Sequence, residues 1–219
     1  MSADESSGGD GPQPPRPSPL LLGRSGGVMT QPTGMRIEAL DRLGAREAAA
    51  RVGVPEGMAD LSVFRLLLRH ERLAGAVHGL LHQLLWEGTL DARLRELIIM
   101  RIGWVQRSVY EWTQHWRVAR MLEISEEDLL ALRDWRSAGR FEGADAAVLA
   151  ATDETLDDGA ISPATWEELE RFIPNDLARL EVVLSIANWT MFAQLLRSLD
   201  VPLEDGVAPW PPDGLAPGS

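Results

Sequence analysis

The chain has 219 residues, 45% of them apolar, which is enough to bury the core of one ordinary domain. It contains no cysteine, so disulfides, thiolate metal sites, CxxC redox pairs and cysteine nucleophiles are all excluded. With 33 acidic against 21 basic residues, a net charge of -12 and no lysine, the surface repels phosphate backbones and anionic membranes, and Schiff-base lysine chemistry is ruled out.

Residues 1–34 are rich in Gly, Pro and Ser and predict a disordered N-terminal tail; their run of three leucines is too short for a signal-peptide core. No window approaches the roughly 20 apolar residues of a membrane span, and the expected location is the cytoplasm. From residue 35 to 205 apolar residues recur every three or four positions, which predicts an all-α domain. A first helix is expected over Arg36–Val52, ending before Gly53 and Pro55, and others over Leu61–His70 and Leu73–Trp86. The next follows Asp91 through LRELIIMRIGWVQ, with Leu94, Leu97, Ile98 and Ile102 as its buried stripe, and another runs from Ser108 to Met121. Ser125-Glu-Glu-Asp128 has the form of a helix start, Asp157-Asp158-Gly159 that of a turn, and Pro163 stands at the first position of a further helix. The last helix, Asp176 to Leu199, carries Leu180, Val183, Leu184, Ala187, Met191, Leu195 and Leu196. That is more apolar surface than one neighbour needs, and it predicts a subunit contact. Residues 206–219, GVAPWPPDGLAPGS, repeat the composition of the N-terminus and predict a flexible C-terminal tail.

The chemistry is concentrated in LRELIIMRIGWVQRSVYEWTQHWRVARMLEISEEDLLAL. Ser108-x-x-Glu111 has capping-box spacing, worth about 1 kcal/mol as a helix start. Glu111 and His115, four apart, share one helix face. The stretch resembles the core signature of the carboxymuconolactone decarboxylase and alkylhydroperoxidase D family. There, a helix bearing an Arg-Glu pair precedes one that begins Cys-x-x-Cys and carries histidine four residues after the second cysteine. The resemblance extends over about residues 36–205, and it implies an alkylhydroperoxidase D-like helical bundle assembled as a homo-oligomer, a trimer or hexamer, with sites near subunit contacts. Arg95-Glu96 matches the Arg-Glu pair and His115 the histidine, while Ser108 and Glu111 fall at the cysteines. A thiol at a helix N-terminus is acidified and reactive, whereas serine has no comparable route to a disulfide, so thiol peroxidase chemistry is lost.

If Glu96 reaches the face of Glu111 and His115, as the resemblance implies, two carboxylates and an imidazole form a proton shuttle. Tyr110, the sole tyrosine, joins His115, Glu96 and Glu111 as a candidate acid or orienting hydroxyl. Arg101 could fork onto a substrate carboxylate or pair with a neighbouring helix. Ser108 and Trp112 complete the expected substrate-binding set, although Ser108 also fits a helix cap, and Trp112 with Trp116 fits a core stripe. His78 and His82 have the spacing of a one-helix metal pair, but no HExxH and no third ligand accompany them, and no metal is expected. His70 fits a helix-end role. The absence of GxGxxG, P-loop and GxSxG motifs leaves no cofactor to expect. The expected function is a cofactor-independent, decarboxylase-like lyase or isomerase acting on a small carboxylated or lactone-type substrate. A tailoring enzyme for cyclisation or dehydration fits the same residues. So does a non-catalytic oligomer that binds a small molecule, given eight tryptophans. Groups converging on a cavity would mark the enzyme, and groups closed in salt bridges the binder.

Overall fold

Apolar residues at helical spacing, punctuated by side chains that cap backbone N–H groups, give a chain of helices. The computed structural model describes residues 34–218, with eleven α-helices and no strand among them, so the expectation for residues 1–34 lies outside the described residues except at Gly34. Helix α1 (Arg42–Val52) begins at Arg42 because Asp41 caps it, accepting from the Gly44 N–H at 2.7 Å, and it ends on Gly53 at φ 72°. α2 (Glu56–Ala59) and α3 (Ser62–Leu67) follow, and α3 tightens into a 3-10 turn at Leu68–His70. His70 has the expected end role: its Nδ1 accepts from the Leu73 N–H at 3.3 Å and starts α4 (Glu71–His82), which relaxes into a π turn, Gln83–Glu87.

Asp91 accepts from the N–H groups of Arg93 and Leu94 and opens α5 (Ala92–Val105); α6 (Val109–Met121) follows after a short break. Ser125 caps α7 (Glu126–Ala131) through the Asp128 N–H at 3.0 Å. After α8 (Trp135–Ala138), α9 (Gly143–Asp158) closes on Gly159 at φ 82°. α10 (Pro163–Phe172) has proline in its first turn, and α11 (Asp176–Ser198) is capped by Asn175.

The central element is α5, packed against α6, α9 and α11. Leu97, Ile98, Ile99, Met100 and Ile102 are all wholly buried, and the charged residues of the helix are Arg93, Arg95, Glu96 and Arg101, of which Arg95 and Glu96 are themselves buried. α11 is tied to the start of α5 by Glu181, whose carboxylate accepts from the N–H groups of Thr89 (2.7 Å) and Leu90 (2.6 Å). Its outer side leaves Leu177, Leu180, Val183, Leu184 and Met191 exposed, with Leu180 at 54%, while Leu196 turns into the core. No described helix is long and apolar enough to cross a membrane.

Residues 206–218, read from composition as a tail, carry specific anchors. The Trp210 ring packs edge-on against Trp104 (6.0 Å between centroids) and lies 6.4 Å from Trp112, whose indole N–H donates to the Pro211 carbonyl at 2.8 Å. The Trp210 N–H donates to Thr113 Oγ1 at 3.2 Å, and Arg133 forks onto Asp213 with two bonds of 2.8 Å. That fork is the main reason why the Asp213 carboxyl is held down to about 2.

One glycine sets the spacing of α5 and α6. A Cβ on Gly103 would stand 3.0 Å from the Trp112 backbone nitrogen and 3.4 Å from Glu111 Cβ, so no side chain fits without moving α6. Gly103→Ala is therefore expected to cost about 1–3 kcal/mol in urea unfolding. Stability within a few tenths of the parent would show that the two helices are not held this closely.

Candidate functional site

Close approach at Gly103 brings the first turns of α6 against α5. The Gly103 carbonyl accepts the Ser108 N–H at 2.8 Å, and Arg107 takes the left-handed conformation, φ 56°, to make the corner. This bond decides the fate of the expected capping box. In such a box the glutamate reaches back to the N-cap N–H, but here Gly103 already satisfies that group. Ser108 makes no side-chain cap, its Oγ is buried without a partner, and Glu111 turns toward His115 instead. The cap expectation for Ser108 and Glu111 is thus corrected.

Three of the expected catalytic groups converge. His115 Nδ1 lies 2.7 Å from Glu96 Oε2, and His115 Nε2 lies 3.5 Å from Glu111 Oε2. The Glu96 side chain is wholly buried, Glu111 is 6% exposed and His115 14%. Buried Arg95 offsets the Glu96 charge, donating from Nε to Oε1 at 3.4 Å and from Nη1 to the Leu84 carbonyl at 3.4 Å. A fourth group was not identified from sequence: Trp189, on α11, donates its indole N–H to His115 Nε2 at 3.2 Å. Its only sequence signal is that it lies in the middle of the inward stripe of α11, where a core residue is the ordinary reading.

The other expected site residues lie elsewhere or are already engaged. Tyr110 donates its hydroxyl to Glu204 Oε1 at 2.6 Å, and the same carboxylate accepts from the Ser62 N–H at 2.9 Å and from the Gln114 amide. Burial first, then Glu204, pushes the Tyr110 hydroxyl far above its ordinary range, so it is a poor acid. Arg101 spends its fork on Asp153 at 2.6 and 3.2 Å and its Nη1 on the carbonyls of Leu132 and Arg133, leaving no paired N–H groups for a substrate carboxylate. Trp112 is wholly buried between Trp104 (5.1 Å) and Trp116 (5.7 Å), so it is core, not a substrate contact. The rings of His78 and His82 are 6.0 Å apart, and no group of three or more metal-ligating side chains forms among the described residues.

Two concavities lie away from this trio. One, of about 340 Å³, lies along α7 and α8 at Leu130, Arg133 and Ala138; the other, of about 440 Å³, lies at Trp135, Ala146, Thr165 and Phe172. Neither is lined by Glu96, Glu111 or His115; the trio itself is enclosed, with Glu96 wholly buried and His115 its most exposed member at 14%.

Comparison with known proteins bears on the family and the fold. The profile of the carboxymuconolactone decarboxylase family matches residues 71–154. That segment belongs to the carboxymuconolactone decarboxylase family. It runs from the start of α4 into α9 and holds Glu96, Glu111 and His115, but not Trp189 or Glu204. No curated protein gives a match. Among solved structures, an uncharacterized peroxidase-related protein from Silicibacter sp. superimposes with a TM-score of 0.65 at 13% identity, covering 83% of this chain and 97% of its own. The alkylhydroperoxidase AhpD core of an uncharacterized peroxidase-related protein from Ralstonia eutropha gives 0.64 at 15% identity, covering 78% and 93%. The debrominase Bmp8, solved with 2,3,4-tribromopyrrole, gives 0.61 at 17% identity, covering 79% and 94%. At these identities the likeness is one of fold, and the fold is the alkylhydroperoxidase D-like helical one.

Burial and charge set the protons of the trio. Burial, reinforced by the Glu96 carboxylate and opposed by His115, pushes Glu111 up to about 7. Burial works to lower His115, but the charge and hydrogen bond of Glu96, with Glu111 behind them, outweigh it and raise the imidazole. Both groups therefore bind a proton more tightly in the folded chain. Stability from Glu111 is lost as pH rises from the ordinary carboxylate range to about 7, and that from His115 as pH rises past the ordinary imidazole value. The lowered carboxyls of Asp60, Asp128 and Asp213 titrate below that window. Unfolding free energy is expected to fall by about 2 kcal/mol or more between pH 5 and pH 8. Glu111→Gln should flatten this slope and be more stable than the parent at pH 8. An unchanged slope in the variant would place the proton elsewhere.

Proposed function

We propose that the protein is a cofactor-independent enzyme that moves a proton at carbon in a small carboxylated or lactone-type substrate, as a lyase or isomerase. The observation that carries this reading is the convergence of Glu96, Glu111 and His115, with an acid that releases its proton near neutrality. Burying two carboxylates and an imidazole together lowers stability at neutral pH, which a purely structural core would avoid with apolar side chains. Membership of the matched segment in the carboxymuconolactone decarboxylase family supports the decarboxylase-like form, and a debrominase of the same fold supports a small-molecule substrate.

In the decarboxylase form the bond between the substrate carbon and its carboxylate breaks, and carbon dioxide leaves. The electron pair stays on carbon, and Glu111 delivers the proton that forms the new C–H bond. His115, the most exposed of the three, takes a proton from water and passes it across the 3.5 Å to Glu111. Glu96 holds the imidazole in place through Nδ1. An isomerisation, cyclisation or dehydration uses the same pair to remove a proton from one atom and return it to another. Thiol-based peroxide reduction has no place here, since the chain lacks cysteine.

The enclosure of the trio favours a second reading, a binding protein in which these groups are only a buried ion cluster. Turnover of a panel of unsaturated lactones and 2-carboxy-lactones separates the two. Glu111→Gln and His115→Gln are each expected to lower kcat by about 100-fold or more with KM little changed. Turnover by both variants at the parental rate would leave only the binding reading.

Self-association belongs to the same proposal. The exposed α11 residues Leu177, Leu180, Leu184 and Met191 recur at helical spacing, and α4 with its π turn exposes Leu73, Leu80 and Trp86. Light scattering should give the mass of a homo-oligomer for the parent and a smaller species for Leu180→Glu with Leu184→Glu. A monomeric parent would sink this part of the proposal.

A further inference from the structure

Trp189 stands on α11, outside the segment that matches the family, with 2% of its surface exposed. It meets His115 edge-on, ring planes 87° apart, and donates its indole N–H to Nε2 at 3.2 Å. Indole nitrogen donates and never accepts, so this bond exists only while Nε2 keeps its lone pair. The imidazole is then neutral with its hydrogen on Nδ1, which is the nitrogen that donates to Glu96 at 2.7 Å. Two contacts from two different helices thus require the same tautomer.

The charged and titratable groups around the ring are Arg95, Glu96 and Glu111. One mobile proton has two seats, His115 Nε2 or the Glu111 carboxyl 3.5 Å away. On Nε2 it would turn an N–H against the indole N–H and leave four buried charges, those of Arg95, Glu96, Glu111 and His115. On Glu111 it leaves only the Arg95–Glu96 pair charged and keeps the Trp189 bond. Fewer charges are withdrawn from water and no two donors face each other.

We infer that Trp189 is a positioning residue that seats the mobile proton on Glu111 and keeps His115 a neutral base. The inference deepens the proton-transfer reading and rests on it for its use in turnover, where Glu111 becomes the acid that meets the substrate and His115 the group that reloads it. The seating itself belongs to the resting protein.

Histidine-labelled protein decides it. In a long-range proton–nitrogen correlation spectrum the ring nitrogens of all four histidines are observable, and His115→Gln assigns those of His115. Over the pH range in which His115 and Glu111 together hold one mobile proton, the parent should show Nδ1 protonated and Nε2 bare. In Trp189→Phe the His115 midpoint should rise by about one unit or more, and the Glu111 carboxyl midpoint should fall with it. A protonated Nε2 in the parent, or a midpoint unmoved by Trp189→Phe, overturns the inference. If the variant does not fold, the parental tautomer alone decides between the two seats. No substrate enters these spectra, so they can fail while His115→Gln still abolishes turnover, or succeed while turnover survives it.

Discussion

A carboxylate wholly withdrawn from water is the constraint on which the rest of the site depends. Glu96 sits on α5, the central helix of the fold, where an uncompensated buried charge would unfold its surroundings. Its two oxygens are therefore met from two sides, by Arg95 on the same helix and by His115 from α6. His115 can reach only because α6 starts in contact with α5, and that contact exists only because position 103 lacks a side chain. The buried charge, the missing Cβ and the left-handed turn at Arg107 are one arrangement seen at three positions.

The C-terminal contacts extend the same logic outward. α6 presents Glu111 and His115 to α5, while its other side chains are held from outside: Tyr110 and Gln114 by Glu204, Thr113 by the Trp210 backbone, Trp112 by the Pro211 carbonyl. A helix so clamped has little freedom to rotate, and the distance between Glu111 and His115 and their approach to Glu96 are fixed more by packing than by the three groups themselves. Glu181 does for α11 what Glu204 does for α6, fastening it to the start of α5 so that Trp189 arrives over His115.

How much of this was legible in the sequence follows from the range of each interaction. Helix boundaries set by local chemistry, such as Asp91 before α5, Ser125 before α7 and Pro163 in α10, could be read directly, because a cap and its target are neighbours in sequence. The pairing of His115 with Glu96 was legible only through family resemblance, since nothing in the spacing of residues on two helices dictates their approach. Ser108 misled because its local pattern is a true capping box, overridden by a carbonyl from the preceding helix that takes the same N–H. Arg101 and Trp112 misled for a related reason: a guanidinium or an indole near the signature reads as binding machinery until its partners, Asp153 and Pro211, are seen at distances of tens of residues. Trp189 carried only the signal of a core stripe, and Glu204 and the anchors within residues 206–218 none apart from composition, which for the C-terminal stretch pointed to a tail.

Under the proposed proton-transfer reading, Glu111 stands where the resembled family carries its second cysteine. In relatives that carry Cys-x-x-Cys, the second thiol stands four residues before the histidine, where an imidazole can exchange a proton with it. Glu111 occupies that place, and burial lifts it to about 7, into the range where proton exchange with an imidazole costs little free energy. A carboxylate in that position can take and give a proton as a thiol can, but it cannot form a disulfide. Ser108, at the other cysteine position, keeps a buried hydroxyl with no partner and no cap to form, so neither position retains a nucleophile activated by its neighbours. The buried charge of Glu96 is met by Arg95 and His115 whatever stands at position 111, so the electrostatic frame of the site does not depend on the chemistry of that position.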